Sequence, residues 1–167
     1  MVSVRRPTRF TLNPQPVAML LSRRCEYALR TVLYLATRIP DAPIPVREIS
    51  GTLAVPHAFL AKTVRELVRA RIVRTQPGTG GGISLARPAG DITLKDVVLA
   101  IDGPEIFDTC VLRLPGCGVM QACPMHEVWV PTRDRIERML QTATLATVAD
   151  SVHANKFRLS DFVTDGT

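Results

Sequence analysis

The chain has 167 residues, 46% of them hydrophobic, which suffices for one well-packed core but not for two independent domains of ordinary size. Its longest apolar runs fall far below the roughly 20 residues of a membrane span, and its first residues lack a secretory signal, so we expect a cytoplasmic protein without membrane segments. The net charge is +6, and residues 22–74 account for it with ten basic against four acidic side chains. Nucleic acid, an anionic surface or an ordinary solvated face remain possible reasons for this charge.

Three helices are predicted first. Apolar residues recur at helical spacing over 22–38 after a Ser22 N-cap, over 46–54, and from Pro56 to Val68. Short β-branched runs at 72–75 and 83–86 then flank a glycine-rich turn, which predicts a hairpin whose tip is flexible or has positive φ angles.

The second half of the chain alternates helices with irregular structure. A helix is predicted over 93–101 after a Thr93 N-cap, an irregular stretch over 105–123, and a long helix over 125–141 that Pro131 can bend. The pattern is weak from residue 151 onward. The predicted fold class is mainly α with a small β-hairpin wing.

Three helices and a hairpin within a basic segment are the order of a winged helix-turn-helix. The start of the third helix would enter the major groove, with Leu60, Val64 and Leu67 facing the core, while the glycine-rich tip would approach the DNA backbone. A protein-interaction module has the same element order. The predicted DNA-binding residues are Ser22, Arg23, His57, Ala58, Phe59, Ala61, Lys62, Arg65, Thr79 and Gly80.

Cys110, Cys117 and Cys123 lie within fourteen residues. Disulfides are disfavoured in the cytoplasm, so clustered thiols indicate metal binding or redox sensing. Without a Cys-x-x-Cys pair, a zinc ribbon is disfavoured, whereas an iron–sulfur cluster, a metal-free thiol switch and three unrelated buried thiols all remain open. Glu26 and His126 compete as a fourth ligand, and Cys25 is predicted to be a structural thiol because its helical phase differs from that of Glu26.

A set of ordered motifs from Met19 to about Asp150 resembles the Rrf-two-type family of bacterial regulators, which includes IscR-like and NsrR-like iron–sulfur regulators. The motifs are Cys25-Glu-Tyr-Ala-Leu-Arg30, Ile49-Ser50, Phe59-Leu60, Gly80-Gly81-Gly82, Ile92-Thr-Leu-Lys-Asp-Val-Val98 and the three cysteines.

The resemblance implies a homodimer joined by the long C-terminal helix, and a two-iron or four-iron cluster whose state alters binding to double-stranded operator DNA. His126 resembles the fourth ligand of IscR-like members, whereas Glu26 occupies the position of a carboxylate that NsrR-like members present from the partner subunit. We expect a repressor that senses nitric oxide, iron or redox state, rather than an enzyme.

Alternatives are a thiol-switch regulator without a cluster and a metal-bearing protein-interaction module. The expected organisation is an N-terminal extension at 1–18, a DNA-binding region at 19–90, a cysteine loop with a dimerisation helix at 91–150, and a tail at 151–167. Three departures from the family pattern concern Pro77 before Gly78 in the wing, Ile83 in place of an aromatic residue, and a first cysteine spacing that is longer by one residue.

Overall fold

The computed structural model describes residues 20–38 and 42–154. The predicted extension at 1–18 and most of the predicted tail, from residue 155, lie outside these residues. The helices and strands are α1 Arg23–Ala36, α2 Val46–Thr52, α3 His57–Arg69, β1 Val73–Gln76, β2 Gly82–Leu85, α4 Leu94–Ile101, α5 Glu105–Asp108, α6 His126–Thr142 and α7 Leu145–His153, with a short 3₁₀ turn at Ala89–Asp91.

The predicted trio of helices followed by a hairpin is confirmed. Ser22 caps α1, since its hydroxyl oxygen accepts a hydrogen bond of 3.1 Å from the backbone N–H of Cys25. On α3, Leu60 and Leu67 are fully buried and Val64 is nearly so, as their spacing predicted. These side chains join α1, α2 and α4 in one hydrophobic core.

Glycines let the hairpin pack closely against the chain around it. Strands β1 and β2 pair antiparallel, and residues Ile44 and Ile83 exchange two backbone hydrogen bonds of 2.9 Å. A methyl group on Gly82 would lie 2.2 Å from the carbonyl oxygen of Ile44. Gly78 and Gly80 have φ angles of 97° and 80°, which confirms the predicted positive φ at the tip.

Helices α4 and α7 begin side by side. Thr93 and Thr144 each cap a helix through a capping box, and the backbone N–H groups of Leu94 and Leu145 donate across the pair, to Ala143 and Ile92 respectively, at 2.9 Å. Leu145 is fully buried. The sequence pattern had assigned no helix to this part of the chain, so α7 is an addition to the predicted fold.

Helices α5 and α6 complete the second half of the described chain. Residues 105–123 were predicted to be irregular, but α5 forms one turn there because Phe107 is buried against the core. Helix α6 continues through Pro131, and Lys95 forms a 2.6 Å ion pair with Glu137 that joins α4 to α6. In the described residues, no helix is both long and apolar enough to cross a membrane.

Candidate functional site

The first three turns of α3 carry six of the ten predicted DNA-binding residues. His57, Ala58 and Lys62 are exposed, Arg65 one turn further is exposed, and Ala61 is half-buried. This face opposes the buried side of α3, so the helix has the polarity that docking in a groove requires.

Phe59 is held in place by α1. Its side chain is 38% exposed, and its ring meets that of Tyr27 edge-on, with centroids 5.5 Å apart. A second link joins the same helices, because the Arg24 guanidinium lies 3.1 Å from the Glu66 carboxylate. Tyr27 was not among the predicted functional residues, although its position one helical turn after Arg23 was a usable signal.

Ser22 and Arg23 lie exposed at the N-terminus of α1. The Ser22 backbone N–H donates to a carboxylate oxygen of Asp102 at 2.8 Å, and its hydroxyl donates to the other oxygen. Arg24 donates to the carbonyl of Ile101 beside it. Asp102 follows α4, so the start of α1 is tied to the end of α4. At the wing tip, Thr79 and Gly80 are exposed.

The three cysteines of the loop come together in space. The Sγ atoms of Cys110, Cys117 and Cys123 all lie within 4.8 Å of one another, and those of Cys110 and Cys123 are 3.5 Å apart. The backbone N–H of Cys123 also donates to the Cys117 sulfur at 3.4 Å. We refer to these residues as the thiol triad.

Helix α6 fixes the start of this loop. The indole N–H of Trp129 donates to the carbonyl of Thr109 at 2.9 Å, and the guanidinium of Arg133 donates to the carbonyl of Asp108 at 3.2 Å. Both acceptors immediately precede Cys110. The first thiol is therefore placed by the same helix whose N-terminal residue is His126.

His126 lies against the thiol triad. Its Nδ1 atom is 3.6 Å from the Cys117 sulfur. The ring packs over Gly118, whose φ is 86° and where a methyl group would come within 2.4 Å of the imidazole Cε1. Gly118 therefore leaves the room that brings His126 to the sulfur. Glu26 is half-buried on α1, one residue after Cys25.

The thiols differ in acidity. Desolvation raises the pKa of the Cys110 thiol, but hydrogen bonds outweigh it and lower this pKa to about 7. These bonds involve the backbone of Leu114 and Leu112 and the thiols of Cys123 and Cys117. A group poised near neutrality is available as a thiolate for metal binding or oxidation.

The other two shifted thiols have raised pKa values. The backbone N–H of Cys123 favours the Cys117 thiolate. The hydrogen bonds of the Cys117 thiol with the Cys123 and Cys110 thiols outweigh this effect and raise the pKa of Cys117. Burial, reinforced by the nearby Asp102 carboxylate, raises the pKa of Cys25 to about 12. The prediction that Cys25 is a structural thiol agrees with its complete burial in the core.

The donor chemistry of the triad fits a soft metal centre. Thiolate sulfur and imidazole nitrogen are the ligands that iron–sulfur clusters and zinc take from proteins. Three sulfurs within 4.8 Å of one another, with an imidazole beside one of them, make up this donor set. The same closeness of Cys110 and Cys123 also permits a disulfide after oxidation.

Comparison with known proteins places the chain among transcriptional regulators. A relative from Mycobacterium tuberculosis, named as an HTH-type transcriptional regulator, is 33% identical over 133 residues, which cover 78% of this chain and 81% of the relative. The HTH-type transcriptional regulator IscR of Photorhabdus laumondii is 28% identical over 127 residues, covering 76% and 77% of the two chains.

Solved structures agree on the fold. CymR (YrzC), the global cysteine regulator of B. subtilis, superimposes with a TM-score of 0.68 at 25% identity and covers 78% of this chain and 95% of its own. IscR of T. potens gives a TM-score of 0.65 at 22% identity, with 83% and 91% covered. The winged-helix class predicted from the element order is thereby confirmed.

The family model described as Rrf2, iron-dependent transcriptional regulator, matches residues 21–151. Such regulators bind DNA and are not enzymes. The alternative of a protein-interaction module that does not bind DNA is therefore excluded. The chain belongs to the Rrf2 family of DNA-binding transcriptional regulators.

Proposed function

We propose that the chain is a homodimeric, cytoplasmic repressor that binds double-stranded operator DNA, and that an iron–sulfur cluster at the thiol triad controls this binding. The observation that supports it is the mutual approach of the three sulfurs to within 4.8 Å. When bound, a cluster supplies a centre that nitric oxide, oxidants or iron shortage can alter.

His126 is the fourth ligand that the geometry favours within one chain. Its imidazole already lies 3.6 Å from the Cys117 sulfur, beside a glycine that makes room for it. Glu26 is the alternative, and it would have to come from the partner subunit. A His126→Ala variant that keeps its iron while Glu26→Gln loses it would reverse this preference.

The thiol triad is connected to the DNA-binding face through a short segment. Cys110 follows α5, which follows Asp102 after Gly103 and Pro104, and Asp102 accepts the hydrogen bonds of Ser22 at the start of α1. A displacement of Cys110 that moves α5 would therefore shift Asp102. A shift of Asp102 would move Ser22 and the start of α1, and Tyr27 on α1 contacts Phe59 on α3.

Homodimerisation is proposed to use α6. Met125, Val128 and Met139 are 42%, 64% and 58% exposed, and their spacing of three and eleven residues places them along one stripe of this helix. Exposed apolar stripes of this kind are typical of helices that pack on a partner.

A metal-free thiol switch is the second candidate, supported by the 3.5 Å separation of the Cys110 and Cys123 sulfurs. An oxidant accepting two electrons would join these sulfurs, with release of two protons. A colourless protein whose retention of promoter fragments changes with oxidation, and does so only while both cysteines are present, would favour this switch over a cluster.

Anaerobic purification of the wild type, Cys117→Ala and Cys25→Ala tests the main proposal. Iron, acid-labile sulfide and brown colour are expected in the wild type and in Cys25→Ala, the matched control, because Cys25 is a core residue. Cys117→Ala should lose all three. Equal, colourless preparations would exclude the cluster. Salt-dependent retention of promoter fragments, with a steep salt slope, tests the DNA contact separately.

A further inference from the structure

A cleft of about 460 Å³ lies between the C-terminal end of α1, strand β2 and the segment leading from the hairpin to α4. Its volume falls within the range of small-molecule sites, about 300–1,000 Å³. None of the predicted DNA-binding residues lines it, and neither does the thiol triad. It is therefore a separate feature of the winged-helix region.

The floor of the cleft is apolar. Leu35 is 6% exposed, and Ala36 and Leu85 beside it are half-buried. Such a floor excludes water from a bound hydrocarbon or aromatic group, which makes contact with it favourable. A bare inorganic anion would gain nothing from this surface.

Arginines line the same cleft. Its lining includes Arg38, Arg74 and Arg87 and, among the residues that the structure describes, no carboxylate. Guanidinium groups match carboxylate and phosphate oxygens with paired N–H donors, so the rim has the chemistry of an anion site.

These guanidinium groups are already oriented. Arg38 donates to the Tyr34 hydroxyl at 2.7 Å and lies 4.5 Å from the centroid of the Tyr34 ring. Arg87 donates to the Asp91 carbonyl at 2.7 Å and to the Asp96 carboxylate at 3.1 Å.

Ser84, which is buried, accepts a 3.0 Å hydrogen bond from Nε of Arg74 in the same way. Fixing these side chains beforehand lowers the entropy that a ligand would lose on ordering them. A guanidinium has five N–H donors, and the bonds named above use one on Arg38 and two on Arg87.

We propose that this cleft binds a small organic anion, with a carboxylate or phosphate group held by Arg38 and Arg87 and an apolar body resting on Leu35 and Leu85. A contact to DNA phosphates is disfavoured because a backbone phosphate has no apolar body for the enclosed floor. The inference does not depend on the thiol triad or on the signal it senses.

Isotope-labelled full-length protein titrated with four probes, monitored through backbone amide NMR shifts, tests the proposal. The probes are 2-naphthoate, 2-naphthyl phosphate, the uncharged 2-naphthamide and inorganic phosphate. Shifts at Leu85, Ala86 and Ala89 are expected with the aryl anions, at least about tenfold tighter than with 2-naphthamide or inorganic phosphate. The two aryl anions separate a carboxylate preference from a phosphate preference.

Variants assign the site. Arg38→Gln and Arg87→Gln should each weaken binding of the tighter aryl anion by about tenfold, while Arg138→Gln, the same charge change at an exposed position of α6 off the proposed dimer stripe, leaves it unchanged. Thermal unfolding of each variant verifies that it is folded. The proposal is overturned by no shifts with any anion at about 10 mM, or by equal binding to all three variants. It is also overturned if both cleft variants lose affinity for promoter DNA while no aryl anion binds.

Discussion

Replacing Gly118 with alanine should break the contact between the His126 ring and the Cys117 sulfur. Comparison with Gly116→Ala should separate this effect from the cost of placing alanine in the turn near Cys117. Gly118 has a φ of 86°, and an added methyl group would lie 2.4 Å from the imidazole Cε1. The ring must then turn away from the Cys117 sulfur, which its Nδ1 atom now approaches to 3.6 Å. Gly116, in the same turn with a φ of 69°, is the matched control, because its methyl group would meet only the Met120 side chain.

The two substitutions should differ in cost. A non-glycine residue in the left-handed region costs about 1–2 kcal/mol, and this applies to both sites. Moving the His126 ring off its rotamer adds about 0.5–1.5 kcal/mol at Gly118 alone. The Met120 side chain is 89% exposed and yields at little cost. We therefore expect a loss of about 1–2 kcal/mol for Gly116→Ala and about 1.5–3.5 kcal/mol for Gly118→Ala. Each kcal/mol should lower the melting temperature by roughly 2–4 °C.

A double-mutant cycle in metal-free protein isolates the contact. Denaturant unfolding of Gly118→Ala, His126→Ala and the double variant should show that Gly118→Ala costs about 1 kcal/mol less when His126 is already alanine. NMR of the His126 ring provides a direct readout, since its Cε1–Hε1 signal should move in Gly118→Ala and stay in Gly116→Ala. Equal costs for the two glycine variants, with additive cycle energies, would refute the contact.

Three further outcomes test the rest of the molecule. Lys62→Ala should weaken retention of promoter DNA and reduce the slope of log affinity against log salt by about 1, whereas Arg138→Ala, at an exposed position of α6 off the proposed dimer stripe, should not. Gly82→Ala should lower the free energy of unfolding by roughly 1–3 kcal/mol, because its methyl group would meet a backbone carbonyl, while Gly90→Ala, which has open space, serves as the control. In reduced, metal-free protein at about pH 8, thiol reagents should leave Cys25 unmodified until unfolding, since its pKa of about 12 leaves almost no thiolate. Labelling of Cys25 in the folded protein would contradict its assigned burial.

Much of the fold was predictable because its signals are local. The Ser22 cap and the buried spacing of Leu60, Val64 and Leu67 follow from neighbours within one or two turns. The one-turn helix α5 is too short to show periodicity, and it forms because Phe107 finds a place in the core. Helix α7 owes its start to paired caps with α4, a contact between segments about fifty residues apart.

The candidate site divides in the same way. Spacing identified the three cysteines, but their approach to within 4.8 Å depends on how residues 110–123 fold, and the position of His126 beside Cys117 depends on the turn at Gly118. Nothing in the local pattern around residue 102 indicates a partner 80 positions earlier, yet Asp102 holds the start of α1.

The contact between Ser22 and Asp102 also bears on how DNA binding is regulated. A serine hydroxyl has one proton to donate, and in Ser22 it goes to Asp102 while the oxygen accepts from the Cys25 backbone N–H. Ser22 therefore cannot donate its hydroxyl proton to a DNA phosphate without giving up its hydroxyl bond to Asp102, while the backbone N–H of Ser22 can keep its 2.8 Å bond to the same carboxylate. If Ser22 contacts DNA through its hydroxyl, that contact competes with the attachment of α1 to the α4–α5 corner. Because Cys110 follows the same corner, a change at the thiol triad that moves Asp102 would alter both bonds from Ser22 and with them this competition.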